Sequence, residues 1–441
     1  MSDWRFVPLG DLIESLDAGV SVNAEDRPHG AGEIGVLKTS AISGGEFHAE
    51  QNKAVLQSER RLIAEPVQAD SILVSRMNTP ALVGESCYVA EAYPMLFLPD
   101  RLWQLKPRDR MQVNMRWLSF VLQSADYRSY VEVHATGTSG TMKNLPKSKM
   151  LSFPVLYPPL SEQKIIAQIL DTLDTIIRET ESILDKLKAL KHGLLHDLLT
   201  RGIDANGELR PSQSEAPQLY KESQWGCIPK EWRQTSTREL CSLITKGTTP
   251  AANNMWQGSE GVKFLRVDNL SFDGQLDFDA SRFQISLGTH RGELSRSICL
   301  PGDVLTNIVG PPLGKLGLVT KQMGEVNINQ AIALFRPEPN LLPGFLLLWL
   351  GGSPAQTWLR KRAKQTSGQV NLTLALCQEL PIPKISLEEQ QLIVDRIEKM
   401  HERLSVGTSE LSKLHHMKYA MMDDLLTGRV RVTPLLEGIA P

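Results

Sequence analysis

The sequence predicts an α+β protein: two tandem α+β domains, each followed by one long helix. Three observations predict it. A 41-residue amphipathic stretch occurs twice, a wider repeat brackets both copies, and short strand-like runs separated by turn residues fill the segments between them.

The first amphipathic copy, LSEQKIIAQILDTLDTIIRETESILDKLKALKHGLLHDLLT, runs from Leu160 to Thr200. The second, LEEQQLIVDRIEKMHERLSVGTSELSKLHHMKYAMMDDLLT, runs from Leu387 to Thr427 at a constant offset of 227 with no gap. Each carries an apolar seam in alternating steps of four and three. In the first copy the seam holds Ile166, Leu170, Leu173, Ile177, Leu184, Leu187, Leu194 and Leu198; in the second it holds Ile393, Ile397, Met400, Leu404, Leu411, Leu414, Met421 and Leu425. A 3.5-residue period sustained this long belongs to a coiled-coil strand. Thr180 and Lys191 interrupt the first seam, and Gly407 and Lys418 interrupt the second at the same two places. A polar residue on a seam costs stability but can fix register, so the shared lysine suggests a specified pairing. Two amphipathic helices packed separately are the alternative. At about 1.5 Å per residue each helix is roughly 60 Å long, a spacer rather than a pocket wall.

The repeat extends beyond the helices. Trp4, Leu12 and Gly19 match Trp232, Leu240 and Gly247 at an offset of 228, as do Leu37-Lys38 with Leu265-Arg266 and Ser43 with Ser271. Thr138-Ser139-Gly140 matches Thr366-Ser367-Gly368, and Asn144-Leu145 matches Asn371-Leu372. This divides the chain into a first domain (1–158), a long helix (159–203), a connector (204–230), a second domain (231–385), a second long helix (386–428) and a short tail (429–441). In the first domain, Asp11 to Ala18 reads as a helix stopped by Gly19. Strand-like runs follow at Ile34–Lys38, Ser71–Val74, Cys87–Ala90 and Arg101–Leu105, and then a helix at Trp117–Gln123. The second domain repeats the order, with a helix near Thr237–Ile244, strands near Val262–Val267, Val304–Val309, Gly317–Thr320 and Ala331–Phe335, and a helix at Phe345–Leu350. The connector is rich in Asn-Gly, Pro, Ser and Gln.

Composition narrows the function classes. At 441 residues the chain has room for two to four domains. With 41% hydrophobic and 22% charged residues it is ordinary for a soluble globular protein. No apolar run approaches the 18 to 20 residues of a membrane span, and MSDWRFVPLG has no signal-peptide layout, so a cytoplasmic location is expected. Five scattered cysteines without a CxxC pair favour neither a disulfide framework nor a cysteine zinc site. A net charge of −2 argues mildly against nucleic-acid binding. The charge is uneven, however: −2 for residues 1–158 and +3 for residues 204–385, with the excess acid on the helices and tail.

Several catalytic and ligand motifs fail on context. Gly30-Ala31-Gly32-Glu33-Ile34-Gly35 fits GxGxxG by letter, but it lacks the preceding strand and following helix that bring phosphate to helix N–H groups. Gly310 to Leu316 resembles a Walker A loop with one residue too few and Leu316 where a magnesium-holding hydroxyl belongs. His192 and His196 sit four apart, but no third metal ligand is evident and the second copy has Tyr419 and Asp423 there. The features that remain are basic and polar. Arg360, Lys361, Arg362 and Lys364 precede the second TSG; Tyr127, Arg128 and Tyr130 precede the first, and Lys143, Lys147 and Lys149 follow it. Lysine and arginine supply phosphate affinity, and the N–H groups of a Gly, Ser and Thr turn also hold phosphate.

Taken with these features, the chain resembles the specificity (S) subunits of Type I restriction–modification systems. The resemblance covers nearly the whole chain. It rests on Pro158-Pro159-Leu160-Ser161-Glu162-Gln163 leading into the first helix, Thr138-Ser139-Gly140 with Asn144-Leu145, the segment KESQWGCIPKEW at 221–232, and the duplication itself. The second helix departs from the pattern by opening with Ile385-Ser386-Leu387, where Ser386 and Glu389 suit a capping box. The second TSG also sits one residue closer to its helix. The resemblance implies two target-recognition domains, each reading one half of a split, asymmetric site on double-stranded DNA. The paired antiparallel helices would separate them, with half-sites about a helical turn, roughly 34 Å, apart, and would dock methyltransferase subunits, two by expectation, and a restriction or motor subunit where one exists. The chain would be no enzyme. It would bind no cofactor itself, S-adenosylmethionine and any ATP and magnesium being used by the partners. The candidates to approach DNA are Lys38 and Arg266 at equivalent strand ends, Arg76, Asn78 and Asn307, and around each TSG Ser139, Lys143, Arg360, Lys361, Arg362, Lys364 and Ser367. Two other classes stay open: a self-sufficient DNA methyltransferase, and a helical scaffold carrying two domains for ligands other than DNA.

Overall fold

The computed structural model describes residues 4–137, 141–310, 312–366 and 369–437. The chain divides into two compact units, Met1–Glu181 with Ser409–Pro441, and Ser182–Thr408. Both long helices are continuous, over Leu160–Thr200 and Leu387–Leu426, so each unit contains a stretch of each helix.

In the first unit the strands form a four-stranded antiparallel sheet and a five-stranded sheet. The first has the order Ser86–Val89, Ser71–Ser75, Leu102–Pro107, Ile13–Ala18; the second has the order Ala24–Glu25, Asn52–Val55, Gly35–Leu37, Tyr93–Phe97, Pro66–Val67. Gly35–Leu37 and Tyr93–Phe97 run parallel. The second unit repeats this arrangement strand for strand. Its four-stranded sheet is Cys241–Lys246, Ile332–Pro337, Val304–Asn307, Leu316–Leu318. Its five-stranded sheet is Met255–Gln257, Phe283–Ile285, Val262–Leu265, Val326–Ile328, Ile298–Cys299, with the central pair again parallel. A two-stranded ladder ties the beginning of each domain to its end: Arg5–Pro8 with Pro154–Tyr157, and Arg233–Ser236 with Pro381–Lys384.

The helix expected over Asp11–Ala18 is corrected. Only Leu9–Leu12 is helical, and Ile13–Ala18 is a strand paired with Leu102–Pro107. Thr237–Leu240 and Cys241–Lys246 divide in the same way. The spacing of Leu9, Leu12, Ile13 and Leu16 suits a helical face, but ladder bonds to a strand some ninety residues away win. Gly19 and Gly247 therefore do more than stop a helix. A Cβ at either would run into a carbonyl of the neighbouring strand end, Leu98 in one case and Ile328 in the other. The polar helix Ala125–His134 has little apolar periodicity to announce it, because only Tyr127 and Val131 are buried. Its N-terminus is capped by the Ser124 hydroxyl, which accepts from Tyr127 N.

Each long helix belongs to a core rather than lying apart as a spacer. Ile166 and Leu170 pack with Trp4, Trp117, Phe120 and Leu425 in the first unit; Ile393 and Ile397 pack with Phe345, Trp349 and Leu198 in the second. In the first unit the helices also wall an open concavity of about 1210 Å3 with Asp171, Asp174, Arg178 and Lys418, contrary to expectation. Within each unit the two helix segments run antiparallel. Asp174 meets Lys418 and Glu181 meets His415 in the first unit; Leu184 meets Gly407 and Lys191 meets His401 in the second. Every seam residue is at least half-buried.

The seam lysines explain the register. Lys418 forms an ion pair with Asp174 at 2.5 Å. The equivalent lysine, Lys191, faces His401, which stands where the other copy has Asp174. Burial and the neighbouring Lys191 hold the His401 imidazole below its ordinary value, against the attraction of Asp273.

The first turn of each helix clamps the chain. Gln163 is buried; its amide donates to Gln112 O and Pro158 O and accepts from Asn114 N. Gln390 does the same with Asn340 O, Ile385 O and Leu342 N. The preceding glutamates take one tryptophan and one arginine each. Glu162 accepts from Trp4 Nε1 and from Arg431 at 2.6 Å; Glu389 accepts from Trp232 Nε1 at 3.1 Å, Arg210 at 2.5 Å and Ile203 N at 2.9 Å. The expected capping box is thus only half formed: the Ser386 hydroxyl accepts from Glu389 N, while the carboxylate turns to its tertiary partners. The connector is correspondingly ordered. It holds a hairpin, Tyr220–Ser223 with Gly226–Pro229, and delivers Arg210 to the clamp. Among the described residues no helix is long and apolar enough to cross a membrane.

Two outcomes are expected. Replacing Glu389 with Ala removes the buried partner of Arg210, whose side chain is 8% exposed, and leaves it only the exposed Glu231 at 2.8 Å; this should cost about 3 kcal/mol, read as a lower midpoint of urea unfolding, and an unchanged midpoint would show that the clamp is slack. Because the folded-state pKa of His401 is depressed, the unfolded chain takes up the proton first. Stability is therefore full above pH about 6.5 and falls as the pH drops below it. Thermal melts of His401→Asp, which recreates the Lys418–Asp174 pair, should lose that dependence and melt higher near pH 6.

Candidate nucleic-acid interface

In the first unit the central strand Ser71–Ser75 leaves its sheet and continues into a short ladder. Met77–Asn78 pairs antiparallel with Lys143–Asn144, so that Asn78 lies opposite Lys143. This brings Arg76, Asn78 and Lys143 together directly after residues 138–140. Arg76 donates to Asn144 Oδ1 at 3.3 Å and lies 5.8 Å from the Trp103 ring. Asn78 donates to Ser75 Oγ and accepts from Thr79 N. Lys143 donates to Gly137 O at 3.4 Å. Lys38 is not part of this ladder. It ends the strand Gly35–Leu37 and shares Asp26 with Lys53, at 3.3 and 3.2 Å, and the two ammonium groups hold the Asp26 carboxyl below its usual range.

The second unit builds the same ladder from different side chains. Val309–Gly310 pairs with Gln369–Asn371, which pairs in turn with Lys364–Thr366. Arg360, Lys361 and Arg362 form the exposed last turn of the helix Ser353–Arg362. Cations there suit the negative end of the helix dipole, and Arg362 lies 4.3 Å from the Trp358 ring. Arg266 is exposed at a strand end, 5.2 Å from the Phe283 ring. Ser139 and Ser367 lie outside the described residues.

Asn307 is corrected. It is 1% exposed. Its amide nitrogen donates to Val309 O and Pro312 O, and its amide oxygen accepts from Gly314 N and Lys315 N. All four hydrogen-bonding positions are taken, so it shapes the loop that follows and presents nothing to a ligand. Arg128, read from the sequence only as part of a basic run, is half-buried and turned onto the neighbouring loop. Its guanidinium donates to Pro80 O at 2.7 Å and Val83 O at 2.8 Å. A guanidinium holding two main-chain carbonyls leaves no mark on local sequence, because both acceptors belong to the backbone.

The chemistry on offer is recognition by donors and cations. Burial pushes the Cys241 and Cys377 thiols up to about 12 and raises Cys87 and Cys299 as well, which makes all four poor nucleophiles. Among the described residues no group of three or more His, Cys, Asp or Glu could hold a metal ion.

Comparison with known proteins agrees with this architecture. Residues 1–189 and 229–413 match the family described as Type I restriction modification DNA specificity domain. The EcoBI specificity subunit of a Type I restriction enzyme from Escherichia coli is 26% identical over 61% of this chain; the match spans just over half, 56%, of that relative. The putative type I restriction enzyme MjaX specificity subunit of Methanocaldococcus jannaschii is 22% identical over 98% of this chain and 94% of its own length. In fold, the S subunit of a Type I restriction-modification system from M. genitalium superposes with a TM-score of 0.55 at 16% identity, covering 96% of each chain. A chain from a structure concerned with complex assembly and conformational transition of the type I R-M system superposes at 0.59, covering 96% of this chain and 97% of that one. With both of its repeated halves matched, this chain belongs to the Type I restriction modification DNA specificity domain family.

Proposed function

We propose that this chain is the sequence-recognition subunit of a cytoplasmic Type I restriction–modification complex. Each globular half reads one part of a split, asymmetric site on double-stranded DNA. The observation that carries this reading is a repeated backbone with diverged side chains. The same ladder stands in both halves, but Asn78 opposite Lys143 in one is replaced by Gly310 opposite Val370 in the other. Equal scaffolds with unequal donors suit two different half-sites, since bases are told apart by the donors and acceptors presented to them.

On this reading the long helices dock methyltransferase subunits, two in number, and a restriction or motor subunit where one is present. Methyl transfer from S-adenosylmethionine, and ATP- and magnesium-dependent cleavage, belong to those partners. The chain selects the site and catalyses nothing. Co-expression with the neighbouring methyltransferase gene, followed by mapping of methylated adenines in a random DNA library, tests this. A split motif with a fixed spacer is expected, and an assembled complex without sequence preference would end the recognition claim.

The cluster Arg360, Lys361 and Arg362 is assigned to phosphate. Replacing all three with Ala should weaken binding to every sequence alike and flatten the salt dependence, by roughly 0.9 in logarithmic slope for each phosphate no longer neutralised. Titration of a labelled duplex at several salt concentrations reads this directly; an unchanged slope removes the cluster from the interface.

A further inference from the structure

The two halves close an equivalent loop in different ways. In the first unit Ser75 N donates to Glu85 O at 2.8 Å and Gly84 N to Ser75 O at 2.7 Å, which closes residues 76–83 into a loop. In the second, Asn307 N donates to Lys315 O at 3.1 Å, while the Asn307 side chain receives Gly314 N at 3.0 Å, closing residues 308–313. The surrounding frame is shared. Arg76 N bonds Arg101 O as Ile308 N bonds Ala331 O, and Leu145 N bonds Arg76 O as Leu372 N bonds Ile308 O. Gly84 and Gly314, at φ 81° and 99°, end the two loops. Ser75 and Asn307 are therefore equivalent positions, and each loop begins on the ladder of its own half.

In each loop one proline carbonyl is held by a side chain, that of Pro80 in the first and of Pro312 in the second. Pro80 O is held by Arg128, reaching from the helix Ala125–His134, at 2.7 Å. Pro312 O is held by Asn307, from the strand preceding the loop, at 2.8 Å. The two clasps come from different elements, yet each fixes the carbonyl five positions beyond the equivalent residues Ser75 and Asn307. In the first loop Thr79, Pro80, Ala81 and Leu82 are all exposed, so the clasp orders a segment that has little burial to order it. Groups that read bases must be held to within about half an ångström, and a loop attached only at its ends does not provide that.

Resting on the recognition reading above, we propose that Arg128 and Asn307 are positioning residues for sequence discrimination. Each holds the loop of one half, so that loss of a clasp relaxes one half-site and leaves the other intact.

The test uses the chain assembled with its methyltransferase partner and reads the methylated motif from a random DNA library. The wild-type complex comes first: absence of a split motif would overturn the recognition reading and this proposal with it. Given that motif, Arg128→Ala and Arg128→Lys should both relax discrimination in one half-site by about tenfold or more, the worth of one well-placed base contact. Asn307→Ala and Asn307→Ser should relax the other. Lysine keeps the charge but cannot span two carbonyls, and serine is what the first half carries at this position, so these milder variants stand in if an alanine variant does not assemble. Uniform weakening rescued by Arg128→Lys would make Arg128 a phosphate contact. That result, an unchanged motif, or relaxation of both half-sites by one variant overturns the proposal.

Discussion

The buried glutamate and glutamine in the first turn of each long helix are the constraint on which the rest depends. A glutamine that is at most 2% exposed, with both amide hydrogens donated and its oxygen accepting, ties the helix start to the loop before the domain's own buried helix. The glutamate beside it gathers a tryptophan from the start of the domain and an arginine from beyond the end of the other long helix. Burying a carboxylate is costly unless it is paired and hydrogen-bonded. Burial pushes the Glu162 carboxyl up, but Arg431, Trp4 and Thr433 outweigh it and hold the group below its ordinary range. The charge is therefore retained at neutral pH, and one residue joins three distant segments.

The clamp also accounts for the role of the segments after each helix. Arg210 and Arg431 are not equivalent in the repeat; one lies in the connector and the other near the chain end. Each nevertheless reaches the glutamate of the domain it packs on. Electrostatic need at a buried carboxylate selects an arginine, and its position in the chain is secondary. The seam illustrates the same principle in the opposite direction. Lys191 and Lys418 are equivalent in sequence, but one has a carboxylate opposite and the other an imidazole, so one register carries two different energies.

The candidate interface combines a shared frame with variable contents. Both halves send a central strand out of the sheet into a ladder, and both close the loop with a glycine in the left-handed region. The side chains mounted on that frame differ in charge, size and hydrogen-bonding capacity. A protein that must present two recognition surfaces gains from this division, because the side chains can change without altering the ladder bonds that carry them.

What the sequence determined by itself was whatever repeats or has a period. The duplication, the two long helices and their seam, and the α+β character of the domains all follow from local spacing, which is written in consecutive residues. The glutamate and glutamine were visible as a motif, but their partners were not, since Arg210, Arg431 and the loop carbonyls lie far away in the chain. Tertiary structure alone decided that Ile13–Ala18 is a strand, because ladder partners outweigh a helical spacing that is otherwise satisfactory. It also decided that Asn307 is buried and that Arg128 is spent on main-chain carbonyls while Arg266 and Arg360 to Arg362 stay exposed. A polar residue's letter states what it can bond, and only the folded chain states which of those bonds are already taken.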